Sequence, residues 1–507
     1  MLKYLCLNKI SNVMKTNFFT RTVLVAASFA AFVGCQDDEQ NAETPAINTN
    51  IDLSSKSATP AFVFSMPGFE TLQISSLISS GDVLPQSPGF MYGAQPDGAG
   101  FMKDPNSDGF LFLNNHEILR SVSRVYLDKT LKPVKGEYIV DAVGGMTRLC
   151  SATLAVPGIH GFGPIFLTAG ESGEDSMVHG INPFGAVADK SRTDRVLPAL
   201  GKASMENAVP LPKGAYPGKT IILIGEDQSY QTSHMSAGQL ILYKSDVVGE
   251  LTNGKLYALK RNDNNQVEKS MAIGSTFDVS FVEIPNAKNM TGAQINMAVN
   301  ALGAIRFSRV EDVDYRKGSD KNNREIYFTA TGQITSNIAT SEYTMWGRIY
   351  KLVMDDTNPL AGKLECVVDG DLNPGVGIIN PDNICVTDNF VYIQEDGDSY
   401  YAGATHDSYI WQFAIASKTN KPWLNMKHDR NNTTWNSMYN QVSNNRFGSW
   451  EYGAMEDISE TIGVPGTFYV NIHPHTWQKT AFGNADGSGV NTNIEGGQTV
   501  IITNVQR

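Results

Sequence analysis

Six short runs of β-branched and aromatic residues punctuate the chain, and each ends in polar residues. They are Phe110–Glu117, Ile165–Glu171, Ile221–Asp227, Ile326–Thr331, Val391–Asp396 and Phe468–His473. Each follows a Gly, Asp, Asn or Lys turn and reads as a strand. Five have a polar motif upstream: Thr147-Arg-Leu-Cys150, Met205-Glu-Asn207, Arg309-Val-Glu-Asp312, Pro381-Asp-Asn383 and Met455-Glu-Asp457. The runs start 55, 56, 105, 65 and 77 residues apart. Helical periodicity is scarce, and 287–304 is the best helical candidate. Strand-rich units repeated at such intervals predict an all-β fold, a six-bladed β-propeller with insertions.

In a propeller the first strand of each unit faces the central channel. A polar residue recurring at one place in each unit then converges on the axis. The motifs supply Glu117, Cys150, Glu171, Glu206, Asp227, Glu311, Asp382, Asn383, Glu395 and Glu456. Carboxylates crowded into a narrow channel repel one another and stay ionised only with cations present. Calcium, which takes six to eight oxygens, suits such a set. A thiolate among them points to a softer metal such as iron or zinc.

The amino end has a different pattern. Residues 1–34 carry Lys3, Lys9, Lys15 and Arg21 and no acid, with an apolar stretch from Val23 to Val33. This describes an export signal. Phe32-Val33-Gly34-Cys35 resembles a bacterial lipoprotein cleavage site, with Phe32 where Leu is preferred. The expected organisation is a lipoprotein signal peptide over 1–34, a flexible tether over 35–58 and a β-propeller catalytic domain over 59–507. The mature chain would be anchored to the outer membrane by a lipid on Cys35, and Asp37-Asp38-Glu39 behind it raises the prospect of cell-surface display. The 507 residues carry 40 Lys+Arg and 52 Asp+Glu, a net charge of −12. Losing the signal makes this −16, a balance that speaks against nucleic acid and is compatible with divalent cations. With 23 Phe, 19 Tyr and 6 Trp the chain has ample material for a core, so bulk disorder is excluded. Cys150, Cys366 and Cys385 remain after the export segment. Three is an odd number, so at least one thiol is free.

At these motifs the chain resembles the PhoX-type alkaline phosphatases, secreted six-bladed propellers, over roughly Phe110 to His475. Asn115-His116-Glu117 resembles the family's Asn-His-Glu strand end. Cys150 resembles the cysteine that ligates iron. Glu171 and Glu206 resemble family glutamates, the latter upstream of Glu226-Asp227. Arg309-Val310-Glu311 resembles an Arg-Pro-Glu motif whose glutamate is a metal ligand and whose arginine meets the phosphate. Pro381-Asp382-Asn383, Tyr392 to Asp396 and Glu456 resemble the last blades. The departures are Val310 for proline and Ala169-Gly170 in a strand that usually carries Trp and a second Cys. The resemblance implies a monomeric, metal-dependent phosphomonoester hydrolase with iron and calcium at the axis. Its metal ligands would be Cys150, Glu117, Glu171, Glu206, Asp227, Glu311, Asp382, Glu395 and Glu456, and Arg309 would be its catalytic residue.

Two other readings use the same residues. One is a calcium-dependent propeller lactonase or esterase, which has no use for a thiol ligand. The other is a non-catalytic surface binding lipoprotein that keeps calcium for rigidity. Asp104-Pro-Asn-Ser-Asp108-Gly109 reads as a turn, because Asn115 stands where an EF-hand needs Glu. His473-Pro-His475 places two imidazoles on one strand face beside the proposed channel. There is no His-Glu-x-x-His, no phosphate-cradling Gly-Lys-Ser loop and no Gly-x-Ser-x-Gly elbow.

Overall fold

The computed structural model describes residues 48–187, 195–230, 237–397, 403–442 and 446–507. The expected export signal and most of the expected tether lie outside them. No helix among the described residues is long and apolar enough to cross a membrane.

The chain opens with β1 (Val63–Ser65) and β2 (Gln73–Ser79). Next come β3 (Pro96–Lys103), β4 (Phe110–His116), β5 (Ser121–Leu127) and β6 (Pro133–Val140), one four-stranded sheet in that order. A three-stranded sheet follows: β7 (Leu149–Ala155), β8 (Ile165–Gly170) and β9 (His179–Ile181). Then come β10 (Met205–Pro210), β11 (Thr220–Glu226), β12 (Gln239–Ser245), β13 (Lys255–Arg261) and β14 (Thr276–Glu283). They are followed by β15 (Val310–Tyr315), β16 (Glu325–Ala330), β17 (Arg348–Met354) and β18 (Ala361–Asp369). The last are β19 (Pro381–Val386), β20 (Phe390–Glu395), β21 (Tyr409–Ala414), β22 (Thr419–Met426), β23 (Glu451–Asp457), β24 (Phe468–His473) and β25 (Gln498–Thr503). All strand pairs are antiparallel. β1 adds to β22 and β2 to β25, so the amino end completes the last two sheets.

The fold is a β-propeller, as the repeats predict, but six separate blades are not what forms. The structure has five hydrogen-bonded sheets, of 4, 3, 9, 5 and 4 strands. The difference comes from β14, which lies in the long 221-to-326 interval. It pairs with β13 on one side and β18 on the other, fusing two units into the nine-stranded sheet. Six inner strands nevertheless close a ring: β3 packs on β7, then β10, β15, β19, β23 and back to β3. The same interval holds the helix Gly292–Leu302. Thr291 caps it, accepting from Gln294 N while the Gln294 side chain accepts from Thr291 N.

The apolar runs are continuous because both faces of these strands are covered. In β11, Ile221 and Leu223 belong to one hydrophobic cluster, and Ile222 and Ile224 to another. In β24, Phe468, Val470 and Ile472 face one cluster and Tyr469 the next. Neighbouring sheets therefore share their cores. Burial of these side chains, each contributing ~1.5–3 kcal/mol, fixes the register of the inner strands.

Residues 48–58, which the sequence places in the tether, lie against the propeller. Asn48 N donates to Gly463 O at 2.9 Å and Lys56 N to Ser76 O at 2.8 Å. The three cysteines of the described residues are buried and free. Asp104 caps its own loop, accepting from Asn106 N and Ser107 Oγ, as a plain turn does.

Candidate metal centre

Each inner strand breaks register near its start. The irregularities fall between Pro96 and Ala99, Leu149 and Ala152, Met205 and Ala208, Val310 and Val313, Pro381 and Ile384, and Tyr452 and Met455. A bulge re-aims the side chain it carries. The first residue in each gap is, in order, Asp97, Cys150, Glu206, Glu311, Asp382 and Gly453. Five of the six are metal-competent.

Neighbouring sheets hold these bulges in place. Asn115 Nδ2 donates to Cys150 O, Thr329 Oγ1 to Asp382 O at 2.7 Å, Gln394 Nε2 to Gly453 O, and Asn471 Nδ2 to Asp97 O at 2.6 Å. Each donor sits near the end of the second strand of the preceding unit. Gly225 occupies the corresponding place before Glu311, where a Cβ would collide with Glu311 O. Gly98 is equally constrained by the backbone of Cys150, Ser151 and Ala152. Losing one such buried hydrogen bond costs ~1–3 kcal/mol, so the ligand positions are part of the scaffold.

A second set enters from the residue after each second strand. The backbone N–H groups of Glu117, Glu171, Asp227, Thr331 and Asp396 donate to the carbonyls of Gln95, Arg148, Ser204, Arg309 and Asn380. These acceptors all stand two residues before the bulge position. Arg148 and Arg309 are thus equivalent in two different units. Gln95, Arg309 and Asn380 adopt left-handed φ of 43°, 62° and 44°. Non-glycine residues take that conformation at some cost, a strain found often at functional sites.

The side chains meet in one cavity of about 180 Å³. It is lined by nine carboxylates (Asp97, Glu117, Glu171, Glu206, Asp227, Glu311, Asp382, Asp396 and Glu451) and the Cys150 thiol. Arg148, Arg309 and His475 are the cationic groups on its wall. Three sets of ligand atoms lie within 4.8 Å of one another: Asp97 with Cys150 and Glu206, Glu117 with Cys150 and Glu171, and Glu206 with Glu311 and Asp382. Cys150 belongs to two of them. Its Sγ is 3.4 Å from Glu171 Oε2. Arg309 donates from Nε to Asp227 Oδ1 at 2.8 Å and approaches Glu311 Oε1 at 2.6 Å through its second terminal nitrogen. Arg148 reaches Glu117 Oε1 at 2.7 Å and is half exposed at the rim.

Burial pushes the carboxyls of Asp97, Glu171, Glu206 and Asp382 well above the ordinary range, and their acidic neighbours add to it. Glu311 is raised by burial even against the Arg309 guanidinium. Burial, then Glu206 and Glu171, raise the Cys150 thiol. The site therefore holds far more negative capacity than its own cations offset. Bound metal ions are the physical solution.

Seven of the nine expected ligands line this cavity: Cys150, Glu117, Glu171, Glu206, Asp227, Glu311 and Asp382, together with Arg309. Glu395 and Glu456 do not. Glu395 points into its own sheet, accepting from Ile379 N, Tyr409 N and Trp411 Nε1, each at 2.7 Å. Its chain neighbour Asp396 faces the cavity, since successive residues alternate sides. Glu456 lies beyond the bulge, in a cavity of about 410 Å³ at the other end of the inner strands, with Asp314 and Lys317. Asp97, Asp396, Glu451 and Arg148 are the cavity residues that sequence reasoning missed, whereas His475 belongs to the His473-Pro-His475 pair expected beside the channel. Pro96-Asp97-Gly98 repeats the pattern of Pro381-Asp382-Asn383, and Thr147-Arg148-Leu149-Cys150 that of Ser308-Arg309-Val310-Glu311.

Comparison with known proteins gives the chemistry a frame. The family profile described as alkaline phosphatase PhoX matches residues 181–443. The chain belongs to the alkaline phosphatase PhoX family. It is accordingly a phosphoric monoester hydrolase, of a family that depends on metals. Among solved structures it is similar to Pseudomonas fluorescens PhoX in complex with vanadate, a transition state analogue, at 14% identity and a TM-score of 0.59. That match covers 90% of this chain and 98% of the other. An α-L-arabinofuranosidase from Fusarium graminearum follows at 10% identity and a TM-score of 0.36, covering 81% and 93%. No curated protein sequence matches the chain. The matched stretch contains Glu206, Asp227, Arg309, Glu311, Asp382 and Asp396. Asp97, Glu117, Cys150, Glu171 and Glu451 lie outside it and enter the site through the ring.

Two buried acids away from the cavity fix a pH dependence. Burial pushes Glu268 up to about 7 and Glu456 up to about 8, from an ordinary 4.5. Both favour the protonated form in the fold. Their contribution is full below about 4.5 and is lost as pH rises through 7 and 8, because the unfolded chain ionises first. Asp97, Glu117, Glu171, Glu206, Glu311 and Asp382 in the cavity, all raised by burial, act in the same direction when no cation is bound. Chelated protein is therefore expected to melt several degrees lower at about pH 8 than at about pH 5. A flat or rising Tm across that interval, followed by calorimetry, would contradict the assignment.

Proposed function

We propose that the cavity is the phosphatase centre and that it uses iron and calcium. The observation that carries this reading is the place of Cys150 at the junction of two ligand groups. Buried carboxylates alone suit calcium, whereas a thiolate with carboxylates suits iron. Cys150, Asp97, Glu117, Glu171 and Glu206 fit the softer ion by donor chemistry, and Glu206, Glu311 and Asp382 fit calcium. When bound, such ions neutralise charge on the phosphoryl oxygens and the leaving oxygen.

The protein's own groups have defined tasks in this proposal. Arg309 clamps a phosphate oxygen pair with its planar fork, held in aim by Asp227 and Glu311. Arg148, at the equivalent position two units of the ring away, supplies a second guanidinium from the rim. Phosphoryl transfer asks mainly for positioning and positive charge, which this arrangement supports. The substrates are phosphomonoesters. The anchor at Cys35 and placement at the outer membrane complete the proposal, resting on the pattern of residues 1–39. A protein that takes up no fatty-acid label in cells would refute the anchor.

The lactonase reading shares the acids and differs at the sulfur. Side-by-side assays with p-nitrophenyl phosphate and a lactone separate them. Hydrolysis of the phosphate alone is expected. Lactone turnover without phosphate turnover would overturn the proposal.

A further inference from the structure

We propose that Glu451, His473 and His475 hold one borderline divalent cation of their own, of the zinc or ferrous class, at the sixth position of the ring, on the part of the cavity wall that Glu451 and His475 form. This goes beyond the iron and calcium reading and does not depend on it.

The position is vacated by the bulge residue itself. Where the other five units carry Asp97, Cys150, Glu206, Glu311 and Asp382, the sixth has Gly453. A Cβ there would stand 2.9 Å from His473 Nε2 and 2.5 Å from Pro96 O. Glycine is needed for the imidazole to enter. Glu451 comes from β23, two residues ahead of Gly453, and the two histidines from the end of β24 and the residue just past Pro474.

Hydrogen bonds settle which nitrogens face inward. His473 Nε2 is 2.9 Å from Pro96 O, and a carbonyl can only accept, so Nε2 carries the proton. Nδ1 is the nitrogen left to face a cation, which would displace the proton that Glu451 favours there. This nitrogen is buried, 3.3 Å from Glu451 Oε2, and lacks an aligned hydrogen-bond partner. His475 is held from outside by Glu495, whose Oε2 is 3.0 Å from Nδ1 and also accepts from Gln95 Nε2 at 2.9 Å. His475 Nε2 points to Glu451 Oε2 at 3.1 Å. The three ligand atoms lie within 4.8 Å of one another. A backbone carbonyl behind one imidazole and a carboxylate behind the other are the outer partners that orient metal-binding histidines. Two nitrogens and one carboxylate select zinc or ferrous iron over calcium, which takes oxygen.

The test uses the full chain, stripped with chelator and titrated with zinc alone. Calorimetry is expected to show a tight equivalent that survives Cys150→Ala, and X-ray absorption of the zinc in that variant to show imidazole scattering. His475→Gln should lose the equivalent. Glu495→Gln, which removes only an outer partner, should weaken it by ~10–100-fold. Cys150→Ala should retain it whether or not the iron and calcium reading holds, which keeps the two readings separable. Should His475→Gln fail to fold, the absorption spectrum of Cys150→Ala still decides. A tight zinc with no imidazole scattering, or no tight zinc at all, would overturn the proposal.

Discussion

Replacing Cys150 by alanine is expected to remove the iron and lower phosphatase turnover more than ~100-fold, beyond the loss typical of an outer-shell residue. The size follows from the geometry. Cys150 joins two ligand groups, those with Asp97 and Glu206 and with Glu117 and Glu171. It is 3% exposed, so no outside group can take its place. Burial keeps its proton on in the absence of metal, and only a strongly bound cation displaces that proton. Cys150→Ser is expected to fare little better, because a hydroxyl is a far weaker anion. Elemental analysis beside a p-nitrophenyl phosphate assay checks both variants. Unchanged turnover would remove the thiol from the centre. The fold itself should survive, since the bulge is held through the Cys150 carbonyl by Asn115 and not through sulfur.

Why the chain announced part of this centre and concealed the rest has a physical explanation. The strand cores are legible because both faces are buried, which makes each run continuous and dense in β-branched and aromatic residues. Cys150, Glu206, Glu311 and Asp382 are legible because each opens an inner strand at a similar distance before such a run. The errors are errors of register. Glu395 and Asp396 are adjacent acids, and one residue of difference exchanges the sheet interior for the cavity. Met455-Glu456-Asp457 matches Met205-Glu206-Asn207 in sequence, which puts Glu456 in the place of Glu206. The bulges show that Gly453 is the true counterpart of Glu206, and a glycine gives no polar signal to align on. Asp97 precedes the first run as the others precede theirs, and Pro96-Asp97-Gly98 marks it. Glu451 and His475 belong to no repeated pattern, because the sixth unit builds its corner differently. The fused nine-stranded sheet was not legible at all, since it depends on β14 pairing on both edges.

Arg309→Lys is expected to lower kcat/KM by ~10²–10³-fold, with both a higher KM and a lower kcat. Lysine keeps the charge and loses the planar fork, so a phosphate contact made by two nitrogens becomes a contact made by one. Asp227 and Glu311 grip the guanidinium at 2.8 and 2.6 Å and would leave an ammonium less well aimed. Metal content should stay near that of the wild type because the local charge is kept. Steady-state kinetics with inorganic phosphate as a competing ligand makes the reading specific: its inhibition should weaken in parallel with KM. Wild-type kinetics in the lysine variant would assign Arg309 to holding Asp227 and Glu311 apart, with no part in binding phosphate.

The claim on which the account turns is that five strand bulges and the ends of the second strands deliver scattered acids and one sulfur to a single metal-loaded centre. Metal analysis of the intact protein, with phosphatase activity followed through chelation and calcium re-addition, tests it most directly. Iron and calcium should both be present, and activity should vanish on chelation and return with calcium. Full hydrolysis of p-nitrophenyl phosphate by protein stripped of both metals would contradict it.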